Sequence, residues 1–152
     1  MHEKEIQYFT EAFQLVEEKF YVDAIRKFQD LVNEFPKSDF ADDAMYNIGL
    51  CYYEMNQFQK CVETLEEMIE KYPEATIHAL ENENASGKTA AKGYYLIVQC
   101  CIGLGDFQKA ESYISILENY TNTHVVIDSE KVSFAQLAEN AIARYMTIKK
   151  NE

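Results

Sequence analysis

Apolar residues along this chain recur every three to four positions rather than every second one, which is the spacing that gives a helix one buried stripe. Read in this way, the sequence predicts helices at about 3–19, 22–35, 40–55, 58–72, 89–104, 107–121 and 130–149, with boundaries good to about 2–4 residues. Few residues interrupt the pattern, since there are only 5 Gly and 2 Pro. The last span carries Phe134, Leu137, Ala138, Ala141, Ile142, Tyr145 and Ile148, a stripe that needs a surface to cover.

A second regularity lies above the helical one. Three segments align on an aromatic, two further residues and a small residue: Tyr21-Val22-Asp23-Ala24, Phe58-Gln59-Lys60-Cys61 and Phe107-Gln108-Lys109-Ala110. Four residues after each small residue stands a large apolar one, Phe28, Leu65 or Ile114, and Pro36 and Pro73 close the first two segments. Upstream, Met45, Ile48, Gly49 and Tyr52 form a matching half, followed more loosely by Tyr8, Ala12 and Leu15 and by Tyr94, Ile97 and Cys101. Small residues let paired helices approach, large ones fill the space between them, and proline ends the second helix because it has no N–H to continue it.

These marks resemble the tetratricopeptide repeat, a helical hairpin of about 34 residues. The resemblance implies an all-α, right-handed superhelix in one domain spanning 1–152, with repeats at about 5–38, 42–75 and 91–124 and a C-terminal capping helix at about 130–149. Ala24 to Cys61 is 37 residues and Cys61 to Ala110 is 49, so the surplus is expected in connections, at Lys37-Ser38-Asp39 and at Glu74 to Lys88. A connection as long as the second is expected to be flexible or functional.

Within the family, the stretch Asp23 to Pro73 is similar to repeats of bacterial outer-membrane-assembly lipoproteins and Tol-Pal-associated periplasmic proteins. Its carriers are Phe35-Pro36-Lys37-Ser38, Ala41-Asp42-Asp43-Ala44-Met45-Tyr46, Gly49-Leu50-Cys51-Tyr52-Tyr53 and Lys71-Tyr72-Pro73. The charged start Met1-His2-Glu3-Lys4-Glu5 has no basic and apolar regions of a signal peptide, so the expected compartment is cytoplasmic, or periplasmic if a signal peptide has been removed.

The first helices of such repeats line a concave groove. The resemblance places Phe9, Phe13, Tyr46, Asn47, Leu50, Tyr53, Lys92, Tyr95, Gln99 and Ile102 there, an aromatic surface suited to anchoring a peptide or partner helix. Co-chaperone members of the family grip a C-terminal carboxylate with paired Lys, Asn and Arg. Only Asn47 and Lys92 match that clamp, and Phe9, Phe13 and Leu96 take its remaining places.

Charge and candidate chemistry narrow the reading. The 26 Asp+Glu against 14 Lys+Arg leave a net charge of -12, which repels nucleic-acid backbones and anionic lipid alike. The longest apolar stretch, Tyr94 to Leu104, is too short to cross a bilayer, so no membrane insertion is expected. Cys51, Cys61, Cys100 and Cys101 form no C-x-x-C and read as buried free thiols. Ser86-Gly87-Lys88-Thr89 resembles the end of a phosphate loop, but Asn82 stands where that loop needs glycine. His78 and Glu81 lack further ligands for a metal, and His2 and His124 read as surface residues. No nucleophile with a base and no cofactor loop can be located, so no cofactor, no metal and no catalysis are expected. The sequence thus predicts an adaptor for a protein or peptide. The alternative is a structural subunit of a larger envelope or motility assembly, with a homo-oligomer among the expected partners.

Overall fold

The computed structural model describes residues 2–78 and 84–151. Seven helices follow one another among them: α1 (His2–Glu17), α2 (Tyr21–Glu34), α3 (Ala41–Glu54), α4 (Phe58–Lys71), α5 (Thr89–Leu104), α6 (Phe107–Leu117) and α7 (Phe134–Lys150). Each packs on its sequence neighbour through α6; α3 also touches α5, and α7 lies against both α5 and α6. This is the three-hairpin superhelix with a seventh helix that the repeat marks predict.

The three hairpin turns repeat in backbone detail. Phe20, Gln57 and Asp106 each send a backbone N–H to the carbonyl five residues earlier, on Leu15, Tyr52 and Cys101, at 2.9, 2.8 and 2.9 Å. The residue before each donor is left-handed: Lys19 at φ 66°, Asn56 at φ 61° and Gly105 at φ 77°. A left-handed residue closing a six-residue ring satisfies the carbonyls left over at a helix end and reverses the chain. Phe35 and Tyr72 end α2 and α4 with nearly the same dihedrals, φ -131° ψ 63° and φ -130° ψ 58°, immediately before Pro36 and Pro73. The Tyr72 hydroxyl donates to the Pro36 carbonyl at 2.7 Å, tying one repeat end to the next.

The core runs along the inside of the stack. Ala12, Ala24, Cys61, Ala91 and Ala110 are fully buried where helices cross, and Phe28 and Leu65 fill the space between with no exposure. Gly49 shows why the residue must be small there, because a Cβ added to it would lie 2.8 Å from Leu65 Cδ2.

The C-terminal third departs from expectation. α6 stops at Leu117 rather than at about 121, and the helix expected from 130 starts at Phe134. Between them lie β2 (His124–Ile127) and β3 (Glu130–Ser133), antiparallel strands joined at Asp128 and Ser129, whose φ values of 51° and 67° make a two-residue turn with both residues left-handed. β1 (Ala85–Ser86) adds to the outer edge of β2. β-branched residues explain the change: Thr121, Thr123, Val125, Val126 and Ile127 lose side-chain freedom in a helix and pack well in strands.

The surplus after α4 is fastened by this sheet at its far end and by hydrogen bonds near the helices. Ile77 N–H donates to the Gly87 carbonyl at 2.9 Å, and Thr89 N–H to the Ala75 carbonyl at 3.0 Å. Lys88 pairs with Glu74. Gly87 at φ +114° sits so close to Thr123 that a Cβ would meet its Oγ1 at 2.5 Å.

Two tests follow from the packing and the turns. Phe28→Ala should lower unfolding free energy by about 3–5 kcal/mol through its cavity, and Gly49→Leu by about 1–3 kcal/mol or more through overpacking. Both are read from urea midpoints, and an unchanged midpoint in either would contradict the helix crossings described. Lys19→Gly should raise stability by about 0.5–1 kcal/mol, because glycine takes the left-handed turn without strain. A drop in its melting temperature would count against the strained turn.

Candidate functional site

The surface with the most binding character is the concave face made by α3, α5 and α7. Tyr53 from α3, Gln99 and Ile102 from α5, and Ala141, Arg144, Tyr145 and Ile148 from α7 reach the same space, with Leu50 and Tyr95 one helical turn away on α3 and α5. Tyr53, Gln99, Ile102 and those four α7 residues enclose a cavity of about 200 Å³. Gln99 Nε2 donates to the Tyr95 hydroxyl at 3.1 Å. Phe134 backs Tyr95 with ring centroids 5.7 Å apart, and Phe58 backs Tyr53 at 5.5 Å.

The groove residues named from the sequence fall into two groups. Phe13, Leu50, Tyr53, Tyr95, Gln99 and Ile102 are half-buried and keep open surface. Phe9, Tyr46, Asn47 and Lys92 do not: Phe9 packs against Phe13, Phe28 and Phe40 at centroid separations of 6.1, 5.7 and 5.2 Å, and is 2% exposed. Lys92 Nζ lies 4.1 Å from the centre of the Tyr46 ring, and both residues are 7% exposed. Asn47 is fully buried; its Nδ2 donates to the Asp43 carbonyl at 2.8 Å, and among the described residues its Oδ1 has no hydrogen-bond partner. Both residues that match a carboxylate clamp are thus withdrawn from the surface.

Part of the cover on that side is the segment after α4. The His78 ring lies 4.3 Å from that of Phe40, and the His78 N–H donates to Asp43 Oδ1 at 3.3 Å. Beside it the Thr89 hydroxyl donates to Asp42 Oδ2 at 2.5 Å, joining the first turns of α3 and α5. Asp42 and Asp43 are 3% and 1% exposed. Burial raises the Asp42 pKa above the ordinary aspartate value, and the Thr89 hydrogen bond only partly opposes it.

Residues of α7 were not assigned to the groove from the sequence. Their spacing, 141, 144, 145 and 148, was the available signal, since it repeats the way first helices present Leu50 and Tyr53.

Other candidate chemistry stays dispersed. Cys51, Cys61, Cys100 and Cys101 are buried free thiols; burial pushes Cys51 up to about 12 and Cys101 to about 11, which keeps those two protonated and unreactive at neutral pH. Among the described residues no three His, Cys, Asp or Glu side chains are grouped to hold a metal, and no helix is long and apolar enough to cross a membrane. Glu81, Asn82 and the His2 side chain, named for possible metal or phosphate chemistry, lie outside the described residues.

Models of the tetratricopeptide repeat match residues 43–75 and 91–115, so the chain carries tetratricopeptide repeats. No curated protein matches its sequence. Among solved structures it is similar to the TPR2AB domain of yeast Sti1 in its pHSP90 complex, at TM-score 0.70 and 15% identity, covering 98% of this chain and 50% of that one. Yeast Tom70 follows at 0.64 and 18%, covering 99% and 26%. The type III secretion translocator chaperone SycD of Yersinia enterocolitica gives 0.60 and 17%, covering 98% and 94%. The chain therefore spans half of the Sti1 structure and about a quarter of Tom70, and at these identities the likeness is one of fold. The outer-membrane-assembly and Tol-Pal subfamily is not among these matches.

The buried Asp42 generates a pH test. A carboxyl whose folded pKa lies above its unfolded one favours folding below the unfolded value, and that contribution is lost as pH rises through the folded value. Wild type should therefore lose stability relative to Asp42→Asn as pH rises from about 4 toward neutrality. Urea midpoints of both proteins across that range check it, and parallel curves would rule out a raised Asp42.

Proposed function

We propose that this chain is a non-catalytic protein-interaction module that holds a peptide or a helix of a partner protein in the groove between α3, α5 and α7. The observation that carries the reading is the open cavity that half-buried Tyr53, Gln99 and Ile102 line together with α7, with half-buried Leu50 and Tyr95 one turn away on the same helices. Here half-buried apolar side chains from three helices converge on one space, where covering them would be favourable by about 25 cal/mol per Å². Such a wall gains by closing over another apolar surface, and aromatic anchors do so with little rotamer entropy to lose. The fold likeness to a domain solved with an HSP90 ligand and to a secretion chaperone supports an interaction role. Tetratricopeptide folds act by holding proteins, which supports the absence of an enzymatic role.

A second reading has its own observation. On α7, Ile148 is 57% and Met146 44% exposed, so the end of the stack offers an apolar surface for assembly into a larger structure such as an envelope or motility complex.

Affinity capture from the source cell followed by calorimetry separates the two. Tyr53→Ala and Leu50→Ala should each weaken the captured partner by about 1–2 kcal/mol, with the circular dichroism spectrum unchanged. Full affinity in both variants would place the contact outside the groove. Under the second reading, loss of binding would instead follow Met146→Glu, and light scattering would show a change in assembly size.

A further inference from the structure

The cavity's electrostatics differ from those of the protein around it. Of the side chains enclosing it only Arg144 is charged, in a chain whose net charge is -12. Arg144 is exposed, and among the described residues it forms no ion pair. Its positive charge reaches the Tyr95 hydroxyl, where it opposes the rise in pKa that burial causes. Arg144 therefore lines the same cavity as Gln99, the partner of Tyr95, and brings a charge to an otherwise uncharged wall. The rest of α7 has the same sign: Lys149 and Lys150 occupy its last turn, and Glu139 is its one acidic residue. Lysines at a helix C-terminus have a structural reason to be there, since they offset the helix dipole. Arg144 has none, being in the helix interior with its guanidinium free to act.

Size limits what can enter. A space of about 200 Å³ is smaller than the roughly 300–1,000 Å³ of small-molecule sites, and suits one or two side chains of a larger partner. The long-range field also selects, because an acidic run would be repelled by the acidic exterior before it arrived. A segment of mixed character escapes that repulsion. Once the apolar side chain excludes water, a guanidinium can grip a single carboxylate with two parallel hydrogen bonds, and leaving that cation buried and unpaired would be costly.

Resting on the groove reading above, we propose that the partner segment carries a large aliphatic or aromatic anchor with one carboxylate side chain within a turn of it. The anchor fills the cavity against Tyr53, Ile102 and Ile148, and the carboxylate pairs with Arg144. This recognition is distinct from a clamp at Asn47 and Lys92, which lie buried.

The test uses the full chain and a phage library of random dodecapeptides as the probe. The enriched peptides are then synthesised and their affinities measured by fluorescence polarisation. Arg144 and Ile148 are both exposed, so Arg144→Glu and Ile148→Ser leave the fold intact, which circular dichroism verifies. The expected result is enrichment of an apolar anchor next to Asp or Glu. Arg144→Glu and replacement of the peptide carboxylate by its amide should each weaken binding about tenfold, and Arg144→Glu should enrich lysine in place of the acid. Apolar peptides with no acidic preference, weakened by Ile148→Ser and indifferent to Arg144→Glu, would overturn the carboxylate partner while the groove stands. Enrichment of basic peptides would overturn it too. Peptides indifferent to both substitutions, or no enrichment at all, would overturn the groove reading itself.

Discussion

Everything in this molecule depends on helices touching where their residues are small. Gly49 lies against Leu65, Gly93 against Met68 and Gly103 against Phe58, each with no room for a Cβ without displacing the neighbour. Because Gly49 yields that space, Leu65 can insert fully; because it inserts, α3 and α4 sit at a separation that the next hairpin repeats. The curvature that opens a concave face between α3, α5 and α7 is the accumulated result of these contacts. A single larger residue would alter the offset of every later helix, so the groove is set by positions that never reach its surface.

Most of this architecture was readable in advance, for reasons that particular residues make plain. Ala24, Cys61 and Ala110 with Phe28, Leu65 and Ile114 carry both period and packing, so helix pairing followed from them. The left-handed turn residues were harder to see. Gly105 has the expected chemistry, but Lys19 and Asn56 hold the same conformation without glycine, imposed by the ring of hydrogen bonds around them. The strands β2 and β3 are not among the elements read from the sequence, although Val125-Val126-Ile127 and Val132 flank a two-residue Asp128-Ser129 turn, because that reading leaves 122–129 outside any helix and runs the last helix from 130 across β3.

The groove was legible only in part. Helical spacing assigns Leu50, Tyr53, Tyr95 and Gln99 to one side of their helices, but spacing gives a direction and not an exposure. Phe9, Tyr46, Asn47 and Lys92 point the same way and are buried, and their cover includes contacts no local pattern encodes, such as His78 against Phe40. Arg144 was overlooked because α7 was read as a lid over apolar surface. In the structure it continues the wall, and so brings its one interior cation into the groove.

The pairing of Ala85 with Val125 has a mechanical meaning. Those two positions bracket α5 and α6 entirely, so the strand pair works as a buckle around the third hairpin. When the ends of the chain are pulled apart, tension passes through the first two hairpins and then across the buckle. α5 and α6 carry none of it until the strands part. Under load the chain therefore divides into a compliant front and a shielded rear, and the shielded part includes the α5 wall of the groove.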